Sequence, residues 1–119
     1  MFARVHSASV MGVDGYIVEV ETDLEFKLPS FATVGLAEGA VKESKERVTS
    51  AIKNSGYTFP QKRVTINLAP ADVRKEGSAF DLPIAVGILA ADGRVPAEML
   101  ETYVLVGEVS LDGALRHVR

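Results

Sequence analysis

One stretch constrains the fold more than any other. It runs Asn67-Leu68-Ala69-Pro70-Ala71-Asp72-Val73-Arg74-Lys75-Glu76-Gly77-Ser78-Ala79-Phe80-Asp81-Leu82-Pro83-Ile84-Ala85. An apolar strand ends, a polar glycine-bearing loop follows, and an almost wholly apolar helix begins. The loop's charges must face solvent or a partner, because a loop between buried elements runs over the surface. The helix, from about Ala79–Leu82 to Ala91, is apolar nearly all round, which predicts an element sandwiched between two layers. Pro83 fits its first turn, where a missing N–H matters least, and Asp81 reads as the N-cap. Before the loop, Arg63 to Leu68 alternates as a strand, with Val64, Ile66 and Leu68 on one side.

The remaining elements follow from periodicity and turn chemistry. Residues 2–11 alternate loosely as a strand. Val13-Asp14-Gly15 is a turn signal, since Asp-Gly suits the positive φ of tight hairpins. Tyr16 to Thr22 sets Tyr16, Val18 and Val20 against Ile17, Glu19 and Glu21, a half-buried strand. Phe31 to Val34 reads as a third strand. Leu36 to Ser55 is the clearest helix: Ala40, Val41, Ser44, Val48, Ala51, Ile52 and Ser55 form one stripe, and Lys42, Glu43, Lys45, Glu46, Arg47, Lys53 and Asn54 the other face. Gly56 stands where a C′ residue stops a helix, and Asp92-Gly93 ends the apolar helix. Pro96 to Glu101 reads as a short helix, Tyr103 to Val106 as a strand, and Glu108 to Leu111 as a strand turning through Asp112-Gly113 into Ala114-Leu115. This order predicts a single α/β domain, an α+β two-layer sandwich with the helices on one face of a mixed sheet. The sequence stops at Arg119 inside an apparent strand pair, which reads as a fragment of a longer protein.

The composition bounds the chemistry. The chain of 119 residues is 47% hydrophobic without a Trp, so aliphatic side chains carry the core. It has no Cys, which excludes disulfides and thiolate metal sites. Its longest apolar run, Leu82 to Ala91, falls short of the ~18 residues that a membrane span needs, and no signal-peptide h-region opens the chain. Cytoplasmic residence is the expectation. The net charge of -3 argues against a general nucleic-acid glue, but its distribution is uneven. Lys42, Lys45, Arg47, Lys53, Lys62, Arg63, Arg74 and Lys75 face only Glu43, Glu46 and Asp72 within residues 42–75, and both flanks are acidic. This basic centre is either one face of the fold or charge scattered over the surface.

Few residues carry a catalytic signature. No G-x-x-x-x-G-K-[ST] pattern is present, so the chain lacks a phosphate loop of that kind. The segment Lys75-Glu76-Gly77-Ser78 before a helix N-terminus could attract an anion, but Glu76 and Asp81 oppose it. His6 and His117 belong to no ligand-spaced cluster, and Glu19 and Glu21 read as solvated charge on one strand face. No metal, cofactor or catalytic residue is assigned.

Several segments together resemble one family. They are Val34-Gly35-Leu36, Ala40 to Val48, Ala51 to Gly56, Asn67 to Asp72, Lys75-Glu76-Gly77, Phe80 to Ala85 and Gly107 to Gly113. In order and over nearly the whole chain they look like the N-terminal domain of the YifB/ComM family of magnesium-chelatase-related and competence proteins. The resemblance implies a fold similar to the Lon proteolytic domain and to the N-terminal domain of GHMP kinases. It also implies a longer protein with an AAA+ ATPase module, which would bind ATP and magnesium, and a role in DNA remodelling. The Lon pattern would place a nucleophile at Ala79, with Ser78 one residue early, and its lysine beyond Arg119. A serine without an adjacent base is not activated, so Ser78 reads as a cap hydroxyl. Two roles remain for the chain. Lys42, Lys45, Arg47, Arg74 and Lys75 are candidates for phosphate contacts with single-stranded or branched DNA. Ala69, Pro70, Asp72, Glu76, Gly77 and Ser78 are candidates for docking on a neighbouring subunit or on the motor.

Overall fold

The computed structural model describes residues 1–11, 14–36, 38–69 and 78–116. Four strands form one mixed sheet in the order β1-β2-β4-β3: β1 (Phe2–Met11), β2 (Asp14–Glu25), β3 (Ser30–Val34) and β4 (Arg63–Ala69). β1 and β2 are an antiparallel hairpin, and β4 runs antiparallel to β2 on its other side. β3 pairs with β4 in parallel. Parallel neighbours need a crossover, and helix α1 (Glu38–Asn54) supplies it. Helix α2 (Asp81–Ala91) packs on β1 and β2, and α1 packs on α2. A short hairpin, β5 (Glu108–Val109) with β6 (Leu115–Arg116), stands apart as a second sheet.

Strand alternation sets the core. Val5, Val18, Val20, Val64, Ile66 and Leu68 are fully buried, in one cluster with Val48 and Ile52 of α1 and Ile84 and Ile88 of α2. Burying each such side chain contributes about 1.5–3 kcal/mol. The uniformly apolar α2 is explained by its position, since one side meets the sheet and another meets α1. Gly87 lets it approach β2 closely, because a Cβ there would lie 2.7 Å from Thr22 Oγ1. Both helices stop on a glycine of positive φ, Gly56 at 92° and Gly93 at 77°. In each the next residue bonds back across the last turn, Tyr57 N–H to Ile52 and Arg94 N–H to Leu89, as a Schellman termination requires.

Three expectations need correction. Asp14-Gly15 is not the hairpin turn, since both residues stand in the β1–β2 ladder opposite Met11 and Val10. Asp81 is not an N-cap. A 3-10 turn, Ser78–Phe80, runs directly into α2, Phe80 takes the cap position in helical geometry, and no side chain caps the helix. Tyr103 to Val106 does not form a strand. Val104 makes a single parallel bridge to His6, and the chain then leaves β1 to brace the start of α2. There Gly107 N–H donates to the Ala79 carbonyl at 2.8 Å, and Leu82 N–H donates to the Gly107 carbonyl at 2.9 Å. The segment 97–100 is a 3-10 turn.

Candidate functional site

One of the predicted basic residues, Arg47, is tied to a buried carboxylate. Asp81, fully buried at the start of α2, is reached from two other elements, α1 and β5. Ser44 Oγ on α1 donates to its Oδ1 at 3.0 Å. Arg47 on α1 donates through Nε to Oδ2 at 2.5 Å and through its terminal nitrogen to Oδ1 at 3.1 Å. The Val109 N–H of β5 points to Oδ2 at 3.4 Å. A bidentate guanidinium–carboxylate pair fixes orientation as well as distance, so α1, α2 and the β5–β6 hairpin are locked to one another. The Asp81 hydrogen bond raises the Arg47 pKa above its usual value, against desolvation, with smaller attractions from Asp81, Glu108 and Glu43. Arg47 is therefore cationic at any pH the fold meets. Sequence periodicity placed Arg47 on the solvent face with the lysines, but it is one of the ties that hold the two helices together. The signal lay in polar residues at buried positions, Ser44 within the apolar stripe and Asp81 at the head of an apolar helix.

The other predicted contact residues fall into two groups. Lys42 and Lys45 are exposed on α1 and, like Lys53, have no hydrogen-bond or ion-pair partner among the described residues. Ala69 closes β4 opposite Glu19, and Ser78 opens the 3-10 turn, half-buried. Pro70, Asp72, Arg74, Lys75, Glu76 and Gly77 lie outside the described residues. The structure thus shows where the loop is anchored: β4 delivers it at one end and the braced turn before Asp81 receives it at the other.

The outer sheet face carries a smaller network. Arg4 pairs with Glu19 at 3.5 Å and with Glu21 at 3.2 Å. Asn67 Nδ2 donates to Glu21 Oε1 at 2.9 Å. Glu21 is thus not the simply solvated charge that strand alternation predicts. The Asn67 hydrogen bond, aided by Arg4 and opposed by desolvation, holds its carboxyl below the ordinary 4.5. A depressed folded-state pKa stabilises the fold above the unfolded value, and this contribution disappears as pH falls through the folded one. Urea midpoints should therefore show wild type more stable than Glu21→Gln at pH 7, by less than about 1 kcal/mol for a pair this exposed. The gap should close as pH is lowered below 4.5.

Among the described residues no cluster of three or more His, Cys, Asp or Glu could hold a metal ion, and no helix is long and apolar enough to cross a membrane. The chemistry on offer is charge and apolar surface. A groove of about 140 Å³ lies between α1, α2 and the β5–β6 hairpin, walled by Ile52, Leu82, Val86, Leu89 and Leu115.

The profile of the family described as subunit ChlI of Mg-chelatase matches residues 20–119. The YifB protein of Salmonella typhimurium is 53% identical over 116 residues, which is 98% of this chain and 23% of that protein. The competence protein ComM of Haemophilus influenzae is 48% identical over the same shares of the two chains. A protein of Mycobacterium tuberculosis is 44% identical over 98% of this chain. The chain spans about a quarter of the length of the curated relatives it matches.

Proposed function

The chain belongs to the family of Mg-chelatase subunit ChlI, among its YifB and ComM members, and on that premise we propose that it is a non-catalytic accessory domain of a DNA-remodelling AAA+ motor. In this reading it is N-terminal to the ATPase module, which binds ATP and magnesium, and it works in the cytoplasm. It guides single-stranded or branched DNA towards the motor. The observation that carries the reading is the pair of lysines, Lys42 and Lys45, one turn apart on α1. Lys42 and Lys45 are exposed without partners among the described residues, whereas Arg4, Lys27, Lys62, Arg63 and Arg94 all pair with carboxylates. The likeness to a competence protein supports DNA as the polyanion. Arg74 and Lys75 of the loop add to the same phosphate contacts, while Arg47 serves the fold.

Fluorescence anisotropy on single-stranded, duplex and four-way-junction DNA over a salt series tests this. Affinity should fall as salt rises, with a log–log slope of roughly 0.7–0.9 per phosphate contacted. It should weaken in the Arg74→Ala/Lys75→Ala variant. Absence of binding at low salt would remove DNA from the reading. The alternative is a module that packs between ring subunits, and a specific observation favours it: Leu111 and Leu115 of the hairpin are exposed beside the apolar groove. Assembly that persists without DNA and depends on protein concentration would select that role.

A further inference from the structure

A second cleft opens at the end of the molecule where β3 begins. It measures about 180 Å³, and its walls include Phe31, Phe59, Pro60, Lys45, Thr49 and Lys62. Phe31 and Phe59 are stacked, with ring centroids 6.3 Å apart and planes at 27°. Phe26 is tied to the cleft through Lys62, which lines it and whose Nζ lies over the Phe26 ring at 4.5 Å from the centroid. Phe26 itself is 85% exposed, and a ring so exposed contributes nothing to the core.

The charge around the cleft is one-sided. Lys62 and Arg94 share Asp92, at 3.4 and 3.6 Å. Lys27 and Arg63 share Glu25, at 3.4 and 3.9 Å. Each carboxylate neutralises one of its two cations, and Lys45 has no partner among the described residues. The charged side chains that line the cleft, Lys45 and Lys62, are both cationic, and no carboxylate is among its lining residues. The fold brings Phe31 and Phe59 together from separate segments, and Lys62 joins Phe26 to the same end of the molecule. A positively charged groove with ring faces is what a single strand needs, because every base offers a π-face and every linkage a phosphate. A duplex keeps its bases stacked and can use only the charge. An acidic peptide likewise gains nothing from the rings.

We infer that this cleft, formed by residues 26–31, the outer face of α1 and residues 59–62, is a single-stranded nucleic-acid site in which Phe26 stacks a base and Lys45 and Lys62 hold the flanking phosphates. The inference rests on the DNA-contacting reading above and places a contact separate from the loop that carries Arg74 and Lys75.

The test is anisotropy of the protein with labelled oligothymidylate, competed by duplex DNA and by polyglutamate. Phe26→Ala should lower affinity for the oligothymidylate by roughly five- to a hundredfold, as the loss of one stacked base does, and leave the salt slope unchanged. Phe26→Tyr should restore binding. Lys45→Ala should reduce the slope by about 0.7, and Lys53→Ala, which lies off the cleft, should change neither. Phe26 and Lys45 are both exposed, so none of these variants threatens the fold. Undiminished binding by Phe26→Ala and Lys45→Ala would overturn the cleft while leaving DNA contact through the loop intact. Polyglutamate competing as well as the oligonucleotide would overturn it in favour of an acidic protein partner. No binding of any DNA at low salt would overturn both the cleft and the reading it rests on.

Discussion

Replacing Arg47 by alanine is expected to destabilise the fold by about 3–5 kcal/mol, the cost of leaving a buried carboxylate without its counter-charge. Asp81 has no access to water. After the substitution only Ser44 Oγ and the Val109 N–H would remain on it. The Arg47 side chain is 24% exposed, so water can enter part of the vacated space and bring the loss towards the lower end. The pair should be insensitive to salt, because screening acts weakly on buried charges. Urea unfolding at low and high ionic strength would report this as a shift in midpoint with a constant slope. The double variant Arg47→Met/Asp81→Leu should recover much of the loss, since an apolar pair of similar volume removes both the charge and its desolvation. If Arg47→Ala moved the midpoint by less than about 1 kcal/mol, the pair would be behaving as a surface ion pair and the tie between the helices would have to lie elsewhere.

The same pair marks the limit of what periodicity can read. Strand alternation and helical spacing gave the element order, the buried faces of β2 and β4 and the sandwiched character of α2, because each depends on local repeats of two or 3.6 residues. Gly56 and Gly93 were legible as helix stops for a similarly local reason, since Gly reaches positive φ without strain. Arg47 was misplaced because its partner is thirty-four residues away, and a periodic pattern does not report which charge will meet which. Asp81 was read as a cap because Asp before an apolar run usually is one; the 3-10 turn ahead of it removes that position. Tyr103 to Val106 has the alternation of a strand, but Gly107 is drawn under α2 by its bonds to Ala79 and Leu82 before a ladder along β1 can extend. The candidate site divides in the same way. Lys42 and Lys45 were identified as exposed charge on one helix. The ring pair of Phe31 and Phe59 was not, because its members lie on separate segments that the parallel β3–β4 pairing brings together.

Phe80→Ala is expected to cost as much as the loss of Arg47, again about 3–5 kcal/mol, here through a cavity. Phe80 is the largest fully buried side chain among the described residues and is 2% exposed. It lies at the junction where the 3-10 turn becomes α2, one residue before Asp81. Its truncation would leave a void beneath the anchor of the loop, and the braced backbone of Ala79 and Leu82 limits how far the site can collapse to fill it. A domain of this kind has only about 5–15 kcal/mol of stability to lose, so Phe80→Ala alone removes a large share of it. Phe80→Leu keeps most of the volume and should cost less than about 1.5 kcal/mol, which makes it the useful probe. Because Phe80 and Asp81 are neighbours, the Phe80→Leu and Arg47→Ala losses should not add; a coupling of about 0.5–3 kcal/mol is expected between them. A coupling of that size in denaturation cycles would establish that turn, carboxylate and guanidinium act as one anchor. Strict additivity would mean that the turn and the ion pair hold α2 independently, and a loop contact with DNA could then be altered by Phe80→Leu without any change at Arg47.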